Sequence, residues 1–214
     1  MKKPINVILV DDHAVVRAGF RMLLSTEDSI NVIAEAERGE QAYQLYLEKK
    51  PDVMVMDLSM PGIGGLESIR RICSRDANAK IVVFSVHDEK VYVQRALEAG
   101  AKGYITKHGH PAILVEAIQK IAGGEIYVEA SLLQQHPNQE DSANYQAILQ
   151  VLSSREFDVF LLLAKGLTVH KIADELCLGY KTVANYGTQI RSKFKVSTVA
   201  ELAHIAIMLG VMKK

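Results

Sequence analysis

Short β-rich apolar runs alternate with longer segments of helical periodicity through the first 125 residues. Runs that are apolar at consecutive positions are typical of parallel strands buried on both faces, and strands that alternate with helices form parallel sheets covered by those helices. The pattern predicts an α/β, (βα)5 doubly wound domain. Its strands are Ile5–Val10, Asn31–Ala36, Val53–Asp57, Ile81–Ser85 and Gly103–Thr106, and its helices are Val15–Ser25, Gly39–Lys50, Leu66–Arg75, Lys90–Ala99 and Pro111–Ala122.

The character of the chain changes after residue 125. Residues 126–148 lose the apolar periodicity and contain the polar run Gln134–Ser142, which predicts a linker. Residues 149–214 contain no strand-like run, so we expect an all-α, four-helix second domain. Its helices are predicted at Ser153–Ala164, Val169–Leu176, Lys181–Phe194 and Thr198–Leu209.

The formal net charge of zero conceals an asymmetry between the two ends of the chain. Residues 1–150 carry 16 basic and 20 acidic side chains, a net of −4, whereas residues 151–214 carry 9 and 5, a net of +4. A basic tail on an acidic domain is the distribution expected when only the tail binds a polyanion such as double-stranded DNA.

No stretch approaches the roughly 18 apolar residues that a membrane-spanning helix needs, and Met1–Pro4 leads directly into a strand rather than into a signal-peptide core. We therefore expect a cytoplasmic protein without a membrane partner. The two cysteines, Cys73 and Cys177, are far apart and lack metal-ligand spacing, so neither a disulfide nor a zinc site is indicated.

Chemically distinctive side chains lie at or just past the ends of four of the predicted strands: Asp11 and Asp12, then Asp57, Ser85 and Lys107. The carboxyl ends of parallel strands meet at one edge of a sheet, so these groups should converge there. Three converging carboxylates repel one another unless a cation neutralises them.

Mg²⁺ suits such a site, because it binds a few carboxylates and keeps other positions of its octahedron for water or substrate oxygens. With charge offset by Mg²⁺ and Lys107, the carboxylate of Asp57 can attack a phosphoryl group to give an acyl phosphate. Taken singly, an Asp at a strand end is commonly a cap or turn residue. It is the presence of all five residues together that indicates a chemically active site.

Two other classes of function are compatible with these residues. An aspartyl phosphotransferase usually needs a second, general-acid Asp two residues after the nucleophile, where this chain has Ser59. A regulator that acts by protein contacts without phosphate is the other alternative, and the complete set of acidic and basic residues argues against it.

Three segments closely resemble the receiver domain of two-component response regulators: Val10–His13, Met56–Leu66 and Ala99–Lys107. The resemblance implies a phosphoacceptor that takes its phosphoryl group from a sensor histidine kinase, and it extends over about the first 125 residues. By position it implies phosphorylation of Asp57, Mg²⁺ binding by Asp11, Asp12, Asp57 and the backbone carbonyl of Ser59, and phosphoryl binding or switching by Ser85, Tyr104 and Lys107.

Two features set this chain apart within that resemblance. Many receivers have a proline in a cis bond after the lysine, whereas this chain has His108, for which a cis bond would cost about 3 kcal/mol. Ser59 and His87 occupy positions that tune the lifetime of the phosphate in the family.

The basic tail contains two short helical segments joined by a turn, which indicates a helix-turn-helix. Ser153 or Ser154 precedes a glutamate at capping-box spacing, which predicts the start of the first helix of this domain. A helical docking module has the same general features. The pattern of residues from Leu152 to Leu202 is similar to the LuxR/FixJ type of DNA-binding domain, which favours DNA binding.

That resemblance implies that the helix Lys181–Phe194 enters the major groove. Asn185 and Thr188 could then reach base edges, and the basic side chains could contact phosphates. Gly187 lies inside this helix at a cost of about 1 kcal/mol relative to Ala, so weak monomer binding strengthened by dimerisation is expected. The predicted DNA-binding residues are Lys181, Thr182, Ala184, Asn185, Thr188, Arg191 and Lys193.

Together these features predict a phosphorylation-activated transcriptional regulator rather than an enzyme. The resemblance implies homodimerisation on phosphorylation, often through the first and fifth helices of the receiver. Within the NarL/FixJ family, Ser59–Glu67, Tyr186 and His204–Ile207 resemble the GacA/UvrY regulators.

Overall fold

A computed structural model describes residues 3–133 and 142–212. The chain forms two compact units. The first unit is built on a six-stranded parallel sheet with strand order β2-β1-β3-β4-β5-β6, which confirms the α/β doubly wound class. Its strands are β1 (Ile5–Val10), β2 (Ile30–Ala36), β3 (Val53–Met56), β4 (Ile81–Ser85), β5 (Gly103–Thr106) and β6 (Tyr127–Val128).

The central strands are apolar at consecutive positions because helices cover both faces of the sheet. Every residue of β3, β4 and β5 is buried. Val7, Val55 and Ile105 share one core cluster with residues of the last helix of this unit, while the alternate residues Ile8 and Met54 are also fully buried. The helices are α1 (Ala14–Ser25), α2 (Gly39–Lys49), α3 (Gly64–Arg75), α4 (Lys90–Glu98) and α5 (Ala112–Ala122).

The segment 126–148, predicted as a linker, contains regular structure in its described parts. Strand β6 adds to the edge of the sheet, and it is followed by α6 (Ala130–Leu133) and, in the second unit, by α7 (Ser142–Gln150). Strand β6, at two residues, is too short to show a period in the sequence. Residues 134–141, most of the polar run, lie outside the described residues. The domain limits at 125 and 149 stay predictions.

The four predicted helices of the second unit are confirmed, with ends displaced by one residue in places. They are α8 (Ser154–Ala164), α9 (Val169–Glu175), α10 (Tyr180–Phe194) and α11 (Val199–Met208). Ser153 caps α8 and Thr198 caps α11, each in a reciprocal capping box with the glutamate three residues on. The stacked rings of Phe160 and Phe194, 5.0 Å apart, join α8 to α10 in the core.

Gly187 is buried within α10, facing α8. A Cβ at this position would lie 3.5 Å from Cδ1 of Leu163, which is ordinary van der Waals contact. Packing therefore does not require glycine here. In the described residues, no helix is long and apolar enough to cross a membrane.

Candidate functional site

Two neighbouring strands bring the carboxylates together. Val10 of β1 pairs with Met56 of β3, so the residues that follow them, Asp11 and Asp57, lie side by side. The Asp57 amide donates to the carbonyl of Val10 at 2.8 Å, which continues the ladder one step beyond the strand. Asp57 is 2% exposed and Asp11 is 5% exposed. Two acidic groups are thus held next to each other away from bulk water.

Lys107 neutralises this pair. It follows β5, and its Nζ lies 2.5 Å from Oδ2 of Asp11 and 2.8 Å from Oδ2 of Asp57. The other oxygen of Asp57, Oδ1, accepts from the backbone N–H of Leu58 at 2.7 Å. The lysine side chain is only 9% exposed, so these interactions are shielded from water and are stronger than surface ion pairs.

The buried setting affects the pKa of both partners. Burial raises the pKa of Asp57 above its ordinary value, because the charged form loses hydration, and Lys107 opposes that effect. Burial acts to lower the pKa of Lys107, but the charge of Asp57 and the hydrogen bond to Asp11 outweigh it and raise the pKa. Lys107 is therefore charged at neutral pH and holds the position of a fixed cation.

The acidic residues present a donor set that fits a divalent cation. Ligand atoms of Asp11, Asp12, His13 and Asp57 all lie within 4.8 Å of one another. Oδ1 of Asp12 is buried and accepts no hydrogen bond from a described residue, although Nδ1 of His13 lies 2.9 Å away. An orphaned, buried carboxylate oxygen beside two further carboxylates is what an Mg²⁺ site with hard oxygen ligands would use.

Ser85 ends β4 and Tyr104 lies within β5, and both are fully buried. The Ser85 hydroxyl accepts from the backbone N–H of His87 at 3.3 Å, and the Tyr104 hydroxyl donates to the His87 carbonyl at 2.9 Å. Oγ of Ser59 lies 2.9 Å from Nε2 of His87. One residue, His87, thus connects three of the residues that sequence reasoning selected.

The bond after Lys107 is trans, since the described residues contain no cis peptide. His108 is therefore accommodated without the cost of a cis bond.

Sequence reasoning missed two residues that support the pocket. Nη1 of Arg17 donates to the carbonyl of Asp11 at 2.5 Å and so fixes the turn that carries the acidic pair. Glu129 accepts from the backbone N–H of Thr106, the residue before Lys107, at 2.8 Å. Arg17 could have been found from its position one turn into the helix after the acidic pair, but nothing in the sequence marks Glu129.

The predicted DNA-binding residues lie on α10 or at its ends. Ala184 and Arg191 are partly buried, and Lys193 forms an ion pair at 2.6 Å with Glu156, the capping-box residue of α8. Lys193 therefore has a structural partner that the sequence did not reveal. Lys193 is nevertheless among the exposed residues of the set, which are Lys181, Thr182, Asn185, Thr188 and Lys193.

Comparison with known families also divides the chain into two domains. Residues 7–119 match the response regulator receiver domain, and residues 150–206 match the bacterial regulatory proteins of the luxR family. The chain belongs to the response regulators and joins a receiver domain to a LuxR-type DNA-binding domain.

Individual relatives are similar along nearly their whole length. The transcriptional activator protein ExaE of Pseudomonas putida is 40% identical over 213 residues, covering 97% of this chain and 98% of the relative. The response regulator UvrY of Escherichia coli K12 is 38% identical, covering 97% and 95%, so the resemblance to the GacA/UvrY regulators is confirmed. RcsB of Salmonella enterica serovar Typhimurium, solved bound to a promoter with the phosphomimetic BeF3⁻, matches with 26% identity and a TM-score of 0.64, covering 95% and 98%.

We predict that Lys107→Met destabilises the receiver unit in Mg²⁺-free buffer. The change leaves two buried carboxylates without their cation, and breaking such a pair costs about 3 kcal/mol. Urea unfolding followed by far-UV circular dichroism measures the loss. Adding Asp57→Asn to Lys107→Met should restore part of it, whereas Lys49→Met on the exposed end of α2 should have little effect. Unchanged stability in Lys107→Met would show that the ion pair does not hold the pocket together.

Proposed function

We propose that this protein is a transcriptional regulator in which phosphorylation of Asp57 by a sensor histidine kinase controls DNA binding. The observation that supports this most strongly is the geometry of Asp57. It is a buried carboxylate at a strand end, held between a lysine ammonium at 2.8 Å and a second carboxylate that shares that lysine.

In the proposed reaction, a carboxylate oxygen of Asp57 attacks the phosphorus of a phosphohistidine. The new O–P bond forms as the N–P bond breaks, and the electron pair leaves with the imidazole, which takes up a proton. Lys107 is placed to bind the phosphoryl oxygens after transfer, because its Nζ already contacts the reacting carboxylate. Positioning and charge stabilisation are the main sources of catalysis in phosphoryl transfer.

Asp11, Asp12, Asp57 and the Ser59 carbonyl would hold Mg²⁺. The ion offsets the negative charge that the phosphoryl group brings to a site already rich in carboxylates. Arg17 supports this arrangement by donating a hydrogen bond to the backbone carbonyl of Asp11. Ser85 and Tyr104 are the proposed switch residues, since both are fully buried and both bond to His87.

We predict that acetyl phosphate with Mg²⁺ adds one phosphoryl group to the wild-type protein and none to Asp57→Asn. The reason is that Asp57 lies at the phosphoacceptor position of the receiver domain that this segment matches, and its Oδ2 lies 2.8 Å from Nζ of Lys107. Intact-protein mass spectrometry, with and without a chelator of Mg²⁺, measures the modification. Asp52→Asn is a matched control, because Asp52 is an exposed aspartate near the other end of β3. Phosphorylation of Asp57→Asn at the wild-type level would place the acceptor elsewhere.

The DNA contact is proposed to use the exposed face of α10. Lys181 and Thr182 are exposed in its first turn, and Asn185 and Thr188 are exposed further along. Thr188 also donates its hydroxyl to the carbonyl of Ala184 at 3.1 Å, which leaves its methyl group and oxygen lone pairs for a base. Lys193 is already paired with Glu156, so we assign it a smaller part in DNA binding than Lys181.

Lys181→Ala should weaken binding to all duplexes by a similar factor. If this lysine contacts one phosphate, the slope of log affinity against log salt falls by about 1. Fluorescence anisotropy with a labelled duplex across a salt series measures the slope. Lys49→Ala, an exposed lysine of the receiver, should leave the slope unchanged. A loss of affinity confined to one sequence would instead identify Lys181 as a base-reading residue.

A homodimer of receivers is proposed to place two such helices on DNA. Helix α1 exposes an apolar stripe at helical spacing, formed by Val15, Ala18, Gly19 and Met22. Val15 is 86% exposed and Met22 is 73% exposed, which is unusual for large apolar side chains in a monomer. We infer that a second copy of this chain covers the stripe after phosphorylation, and two linked modules then bind with higher avidity.

Val15→Glu with Met22→Glu should leave the BeF3⁻-treated protein monomeric, because the charges would be buried at the interface. Both side chains are exposed, so folding should tolerate the changes. Light scattering measures the mass of each sample. Leu47→Glu on α2 is the control and should dimerise like wild type. A dimer that survives the α1 changes would exclude this face.

A further inference from the structure

Strand β6 and Glu129 lie at the start of the segment 126–148, which leads to the DNA-binding unit. Both are hydrogen-bonded to strand β5. Tyr127 donates its backbone N–H to the Lys102 carbonyl, and Glu129 donates to the Tyr104 carbonyl, both at 3.0 Å. A Cβ at Gly103 would lie 2.5 Å from the Tyr127 carbonyl oxygen, so glycine is needed for β6 to lie this close. The segment is thus fixed to the strand that contains Tyr104 and precedes Lys107.

The side chain of Glu129 adds a second attachment at the end of β5. Oε2 accepts from both the backbone N–H and the hydroxyl of Thr106, at 2.8 and 2.9 Å, and Oε1 accepts from the Ser131 hydroxyl at 2.7 Å. Although burial acts to raise the pKa of Glu129, these hydrogen bonds outweigh it and hold the pKa below its ordinary value. The carboxylate is therefore ionised at neutral pH, which makes each bond charge-assisted and strong.

Thr106 joins this attachment to the acidic pocket. It is the residue before Lys107, whose Nζ contacts Asp57 and whose backbone N–H donates to the carbonyl of Ser85 at 2.8 Å. Thr106 also pairs with Ser85 in the register of β4 and β5. A displacement of Lys107 or Ser85 when a phosphoryl group enters must therefore act on the backbone that Glu129 binds.

We propose that Glu129 is a positioning residue that couples the Asp57 pocket to the segment leading to the DNA-binding unit. It acts through Thr106 and touches neither phosphate nor metal. The inference rests on the proposed function, since it takes phosphorylation of Asp57 as the input and DNA affinity as the output. Coupling free energies between sites commonly change affinity by roughly 5- to 150-fold, and Glu129 carries that change.

The experiment compares full-length variants with and without BeF3⁻ and Mg²⁺. DNA affinity is measured on the duplex that BeF3⁻-treated wild type selects from a random pool, and phosphorylation by acetyl phosphate is measured in parallel. Glu129→Gln should be phosphorylated like wild type, but its gain in DNA affinity should fall, because a neutral amide oxygen accepts the two Thr106 hydrogen bonds more weakly than a carboxylate does. Glu125→Gln makes the same chemical change at an exposed site four residues earlier and should keep the wild-type gain.

Thr106 provides a second, independent test. Thr106→Ser keeps the hydroxyl that donates to Glu129 and should retain most of the gain, whereas Thr106→Val removes it and should lose much of the gain. A purely structural role for Thr106 would not separate these two variants in this way. Equal gains in Glu129→Gln and wild type would overturn the proposal.

Hydrogen exchange separates failure of this inference from failure of the proposed function. In wild type, BeF3⁻ should change the exchange rates of the Tyr127 and Glu129 amides, and Glu129→Gln should lose that response. If BeF3⁻ does not raise the DNA affinity of wild type, the proposed function is wrong. The hydrogen-exchange data alone then test whether Glu129 couples the Asp57 pocket to this segment. Amides that do not respond to BeF3⁻ in wild type would overturn that coupling.

Discussion

The contact of Lys107 with Asp57 and Asp11 is the interaction on which the site depends. Two carboxylates at 2% and 5% exposure would be too costly to keep ionised without a buried cation, because desolvation and mutual repulsion both disfavour the charges. The parallel sheet places the two carboxylates next to each other because β1 and β3 are neighbours and end at the same edge. Lys107, which follows β5, neutralises their charge. Asp12 adds a third carboxylate next to Asp11, and ligand atoms of these residues lie close enough together to hold a divalent cation.

Most of this pocket can be read from the sequence because it follows from a simple rule. Consecutive apolar residues locate the buried strands, and the polar residue after each strand must lie at the carboxyl edge. Asp57 and Lys107 are found in this way. The rule does not give side-chain partners, and Asp11, expected beside the metal, is also a direct partner of Lys107 at 2.5 Å.

Features that depend on tertiary contacts without a local pattern were missed. Strand β6 is two residues long and forms because Gly103 lets it approach β5. Glu129 resembles any other glutamate in the sequence, and its hydrogen bonds to Thr106 appear only when the sheet is assembled. Lys193 was assigned to DNA from its place on a basic helix, whereas its pairing with Glu156 depends on how α8 packs against α10. The helices themselves were found because their caps and periodicity are local.

The central claim is that the charge state of the Asp57 pocket controls DNA binding by the second unit. The most direct measurement is the affinity of wild type and Asp57→Ala for one selected duplex, each with and without BeF3⁻ and Mg²⁺. Wild type with BeF3⁻ should show a salt-sensitive increase in affinity, and Asp57→Ala should show none. Equal affinity in all four samples would contradict the central claim.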